Sequence, residues 1–157
     1  MRDLSELKMN ERGRPVKRSP PTEEATNAFQ RHFNVTLPIE YISLLKFSNG
    51  GHPELDSIEP IGRPGAARRS VDHFYHLDGD TTAISGLWMS TKIWVSILGD
   101  NRVPFAVDGG GNPFVLDLNS TPPSVNACLH DENYILVDLA PSFASFIDAL
   151  SIDPDMI

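Results

Sequence analysis

The sequence predicts a single α+β domain in which a central, antiparallel-rich β-sheet is flanked by helices. Three observations predict it: helical apolar spacing over residues 22–47, a long middle region of short apolar runs split by Gly, Pro, Asn and Asp, and a return to helical spacing near residue 143. Helices segregated from strands along the chain favour helices packed on one face of an antiparallel sheet over a parallel α/β arrangement.

Each element has its own warrant. Ser19-Pro20-Pro21 opens the domain, because consecutive prolines favour extended backbone. Thr22 is placed to cap a helix of about three turns whose first turn carries Glu23 and Glu24, with Ala25, Ala28, Phe29 and Phe33 as its apolar face. Pro38 suits the start of a second, largely buried helix running through Ile39, Tyr41, Ile42, Leu44, Leu45 and Phe47, with Asn49-Gly50-Gly51 as a left-handed stop. Val103–Val107 and Phe114–Leu118, joined by residues 108–113, read as a hairpin. Ile93–Leu98, Ser124–Leu129 and Tyr134–Val137 read as further strands, and Gly62–Ser70 as a mobile loop. Phe143, Phe146, Ile147 and Leu150 recur at i, i+3, i+4 and i+7, the stripe of a closing helix.

Residues 1–21 form a basic tail expected to be flexible, and residues 22–157 the folded domain. The net charge of -8 hides this asymmetry: residues 1–18 carry six basic side chains against three acidic ones, and residues 19–157 carry 7 against 18, or -11. So acidic a body repels phosphate backbones and favours basic partners. Arg12-Gly13-Arg14-Pro15 has the short arginine spacing used in A·T-rich minor grooves. The acidic body opposes the counterion-release term behind DNA affinity, so no nucleic-acid partner is expected. Nothing from Met1 to Pro21 forms the apolar core of a signal peptide, and no segment reaches the roughly 20 apolar residues of a membrane span. The expectation is therefore a cytoplasmic protein without a membrane partner; Asn34 and Asn119, although in glycosylation triplets, would stay unmodified there.

The candidate chemistry is sparse. Residues 72–80 gather His73, His76, Asp72, Asp78 and Asp80, types that ligate zinc or iron, but alternate strand positions face opposite ways and disfavour convergence. These residues read as a solvated acidic loop, with no metal or cofactor expected. Cys128 and His130 lack a marked oxyanion site, so Cys128 reads as a buried structural thiol. Gly109–Gly111 lacks the Lys-Ser/Thr of a phosphate loop and reads as turn chemistry. No catalytic constellation emerges, and a binding module is favoured over an enzyme.

Taken in order, Leu37-Pro38, Tyr41, Leu44-Leu45 and Asn49-Gly50-Gly51, then Pro104-Phe105-Ala106, Asp108, Gly110-Gly111-Asn112, Phe114, Leu116 and Asp117, then Ser142-Phe143 and Phe146-Ile147, resemble the SUKH superfamily, the Smi/Knr-type domain. The resemblance covers about residues 22–150 and lapses over 52–92. It implies a cofactor-free α+β domain that binds proteins, commonly as a bacterial immunity protein against polymorphic toxins, many of them nucleases. The expected function is thus neutralisation of a basic, nuclease-type toxin domain by direct binding. A regulatory or scaffolding module is the alternative, and a metal-dependent hydrolase built on His73, His76, Asp78 and Asp80 is a third reading. The expected partner contacts are Glu54, Asp56, Glu59, Asp72, Asp78 and Asp80, because they lie where the family pattern lapses and specificity commonly resides on loops held by a scaffold.

Overall fold

A computed structural model describes residues 1–11 and 18–156. The Arg12-Gly13-Arg14-Pro15 motif lies outside the described residues. In chain order the regular elements are α1 (Glu23–Phe33), α2 (Ile39–Phe47), β1 (Ser57–Ile58), β2 (Arg69–Ser70), β3 (His73–Phe74), α3 (Leu87–Leu98), β4 (Arg102–Val107), β5 (Pro113–Asp117), β6 (Ser124–Leu129), β7 (Ile135–Ala140) and α4 (Phe143–Ala149). The five strands β3 to β7 form one antiparallel meander in sequential order, and β1 pairs with β2 in a separate two-stranded ribbon. This is the α+β architecture that the sequence predicts.

The helix ends follow local chemistry. Thr22 Oγ1 accepts from the Ala25 backbone N–H at 3.0 Å, satisfying one of the orphan donors of α1. Ser142 and Ser145 form a reciprocal capping box at the start of α4. Helix α2 ends differently from expectation: Ser48 is already extended, with φ -147, and the left-handed residues Gly50 and Gly51 follow two and three positions later. The glycines therefore turn the departing chain rather than cap the helix.

The core lies between the sheet and the helices α1, α2 and α4. Its hub is Phe105, at the point where the β4–β5 register shifts between Pro104 and Ala106. The Phe105 ring meets Tyr41, Phe74, Phe143 and Phe146, all with centroids 5.6 to 6.2 Å apart. A bulge re-aims the strand locally, which is how one side chain of a central strand reaches both α2 and α4.

Two expectations about this region are corrected. Ile93–Leu98 is the second half of helix α3, not a strand. Helices accordingly do not all lie on one face: Leu98 and Trp94 of α3 pack with Val115, Cys128 and Leu136 in a smaller cluster separate from the main core. Strand β5 is buried on both sides as a result, and Phe114-Val115-Leu116 shows no polar alternation. The stretch 62–70, read as a loop, contributes Arg69 and Ser70 to the β1–β2 ribbon.

The N-terminal residues also differ from the tail expected. Leu4 to Leu7 form a 3-10 turn, and Leu7 is fully buried in the main core. The Leu7 carbonyl accepts from the backbone N–H groups of Glu54 and Leu55, and the Arg2 guanidinium donates to the Leu150 carbonyl at 2.6 Å. Burial of one leucine and these cross-chain bonds hold residues that composition alone marks as polar and mobile.

Candidate functional site

The loops that hold the acidic candidates are tied to the body by Asn49. Its buried side-chain amide donates to the carbonyls of Ser19 and Leu77, at 2.9 and 2.8 Å, while its Oδ1 accepts from the Leu77 N–H at 2.8 Å. Three backbone groups from two distant segments are thereby satisfied by one side chain. Gly50 follows at φ +84, and a Cβ there would stand 3.0 Å from His76 Cβ. Only glycine combines that backbone conformation with so close an approach.

Beside this knot opens a cleft of about 270 Å³ lined by Arg18, Gly50, Gly51, His52, Asp72, His73, Phe74, His76 and Ser85. Of the six expected contact residues, Asp72 lines this cleft, and Asp78 stands near it through His76 and Arg18, 3.7 and 3.8 Å from their nitrogens. Asp80 is exposed, and its carboxylate is held below the ordinary range by hydrogen bonds from Thr82. Glu59 lies on a different cleft, with Ile61, Arg68 and Ser151, and its Oε1 accepts from the Gly65 N–H. Glu54 and Asp56 are half-buried next to the N-terminal segment and β1. The six therefore do not form one patch.

His76 is buried. Burial, and then the Arg18 charge, lower its pKa from the ordinary value, outweighing the opposing effect of Asp78 and Asp80. His73 is only half-buried and hydrogen-bonds Asp72, so the set His73, His76, Asp78 and Asp80 does not converge around one point. Among the described residues, the group of metal-ligating type whose donor atoms come together is His52, Asp72 and His73. Sequence reasoning missed His52, twenty residues from its partners. The available signal was its position directly after Asn49-Gly50-Gly51, where the chain turns back toward the sheet.

The other sequence candidates resolve as scaffold. Cys128 is fully buried, and burial pushes its thiol up, away from the reactive thiolate. His130 Nδ1 contacts Asn112 Oδ1 at 2.5 Å rather than the cysteine. The Gly109–Gly111 loop is organised by Asp108, whose Oδ1 accepts from the N–H groups of Gly110 and Asn112, at 2.9 and 2.8 Å. Such an Asx-centred turn needs no ligand.

Residues 20–149 match the SMI1 / KNR4 family (SUKH-1), and the chain belongs to that family. No curated protein matches it. Family membership is consistent with an immunity-type module that works by protein binding. Among the described residues no helix is long and apolar enough to cross a membrane.

Proposed function

We propose that this chain is a non-catalytic immunity module that neutralises a basic toxin domain, of the nuclease type, by binding it directly. The observation that carries the reading is charge: residues 19–157 hold 18 acidic side chains against 7 basic ones, on a domain whose family works through protein contacts. A nuclease must be cationic where it grips phosphate, and a compact acidic domain complements that groove. Asp72 and Asp78, at or beside the cleft, and the exposed Asp80 are the leading contacts, with Glu54, Asp56 and Glu59 nearer the β1–β2 ribbon. The occupied surface would be of standard interface size, roughly 800 Å² on each partner.

The test begins with the genes flanking this chain's own: a neighbour that encodes a secreted protein with a C-terminal toxin domain supports the reading, and that domain is then co-expressed with this chain. Growth should be restored in cells expressing the toxin, and the two purified proteins should elute as one stoichiometric complex. Failure of both rescue and complex formation would sink the immunity reading and leave the scaffolding role.

A further inference from the structure

Gly51 and Phe74 are bridged in antiparallel fashion, each N–H donating to the other's carbonyl, at 3.1 and 2.9 Å. The next pair outward, His52 and His73, therefore occupies a non-hydrogen-bonded position, where facing side chains approach most closely. Their ring centroids lie 5.5 Å apart. Asp72 contacts both rings: His52 Nδ1 lies 2.7 Å from the Asp72 carbonyl, and His73 Nδ1 lies 2.7 Å from Asp72 Oδ2. Neither a carbonyl nor a carboxylate has a proton to give. Each Nδ1 must therefore be the donor, and in the neutral ring Nε2 carries the lone pair. At His52 this is how metal-binding histidines are oriented, by a carbonyl on the far nitrogen. His73 Nδ1 and Asp72 Oδ2 instead face each other directly, and an ion shared by them takes the place of the proton between them.

The site is also held from behind. Asn10 N–H donates to the His52 carbonyl, and Asn10 Oδ1 accepts from the His52 N–H, each at 2.8 Å. A Cβ on Gly51 would overlap the Asn10 side chain, so the glycine at φ +112 is what permits this clamp. One donor atom from each of His52, Asp72 and His73 lies within 4.8 Å of the other two.

We propose that His52, Asp72 and His73 bind a divalent transition-metal ion of the zinc class, through one imidazole nitrogen of each histidine and the Asp72 carboxylate. Two nitrogens and one oxygen suit zinc, cobalt, nickel or iron and disfavour magnesium and calcium. Three protein donors on an open cleft leave at least one coordination position for water or for a side chain of a bound protein. The ion would join the segment after α2 to β3 and rigidify the rim that carries Asp72. This departs from the metal-free expectation, which weighed His73 with His76, Asp78 and Asp80 and did not include His52.

The experiment uses the full-length, tag-free chain with zinc chloride and cobalt chloride as probes, so it does not depend on any toxin. Calorimetry should show one zinc equivalent bound, with a raised melting temperature and no response to magnesium chloride. Cobalt should give visible ligand-field bands. His52→Ala or His73→Ala should weaken binding by on the order of tenfold or more, Asp72→Asn should weaken it less, and His130→Ala should leave it unchanged. Should the alanine variants fold poorly, imidazole NMR of the wild-type chain decides: zinc should shift the His52 and His73 resonances and spare those of His32 and His130. Absence of saturable zinc binding, binding undiminished in the His52→Ala/His73→Ala double variant, or shifts centred on other histidines would overturn the proposal.

Discussion

Single side chains carry much of the architecture around the cleft. Asn49 closes three hydrogen bonds that otherwise leave the Leu77 N–H and two carbonyls to be satisfied, and Gly50 occupies a left-handed conformation against His76. Gly50→Val should cost about 2 kcal/mol, from the penalty of a β-branched residue at positive φ together with contact with His76. Asn49→Ala should cost about 2 to 3 kcal/mol through the buried groups it orphans. Urea denaturation measures both, and an unchanged midpoint for either variant would contradict the structural role of this turn. His76 gives the pH dependence. Its folded-state pKa lies below the ordinary 6.5, so the folded chain binds fewer protons than the unfolded chain as pH falls past that value. The neutral ring's contribution is fully present above 6.5 and is lost as pH falls from there toward the lowered folded value. Stability measured between pH 8 and 5 should decline over that window, and His76→Asn should flatten part of the decline. A profile identical to wild type would remove His76 from the account.

At the level of elements, α3 is the instructive case. Ile93, Val95 and Ile97 look like a strand when read alone, since β-branched residues at alternate positions favour pleated backbone. Extending the window back to Gly86 changes the reading, because Leu87, Thr91, Trp94 and Leu98 fall at i, i+4, i+7 and i+11, which is one helical face. The structure buries Leu87, Thr91 and Leu98 and exposes Ile93 and Ile97 by 60% and 44%, so burial follows the helical period. The isoleucines sit where packing does not decide, and their strand preference is overridden. Leu98→Ala should therefore destabilise by about 2 to 4 kcal/mol, whereas Ile93→Ala should change stability by less than about 0.5 kcal/mol, measured by thermal melts. Equal effects would refute the assigned face. The N-terminal 3-10 turn was hidden for a related reason: Leu4 and Leu7 are too few to show a period, and the place of Leu7 in the core rests on contacts with residues distant in the chain, the backbone bonds to Glu54 and Leu55 among them.

For the whole molecule, the acidic field is the property most directly tied to the proposed partner. Glu59→Gln, Asp72→Asn, Asp78→Asn and Asp80→Asn together remove four negative charges while keeping carbonyl acceptors for the turns they organise. The combined variant should associate more slowly with a basic toxin domain, and its on-rate should depend less on salt, since long-range attraction is screened over about 10 Å at 0.1 M ionic strength. Stopped-flow kinetics at two salt concentrations tests this, and a wild-type rate with a wild-type salt slope would remove these four residues from the interface.

Local information in the sequence determined α1, α2, the β4–β5 hairpin, β6 and α4, because each has either a period that matches its backbone or a cap or turn residue at its boundary. Thr22 before Glu23-Glu24, and Phe143 with Phe146 and Ile147, are legible without any long-range contact. The charge asymmetry was equally legible, being a sum over residues. Tertiary structure alone decided the rest. Which face of the sheet α3 would cover, the burial of Leu7 and the pairing of His52 with His73 all depend on contacts between residues distant in the chain. Two-residue strands such as β1, β2 and β3 have no period to display, and so short a pairing is stable only where larger elements hold its segments together. The acidic candidates were readable by type, but their separation over the surface, with Asp72 on one cleft and Glu59 on another, follows from how the tertiary structure places the loops that carry them.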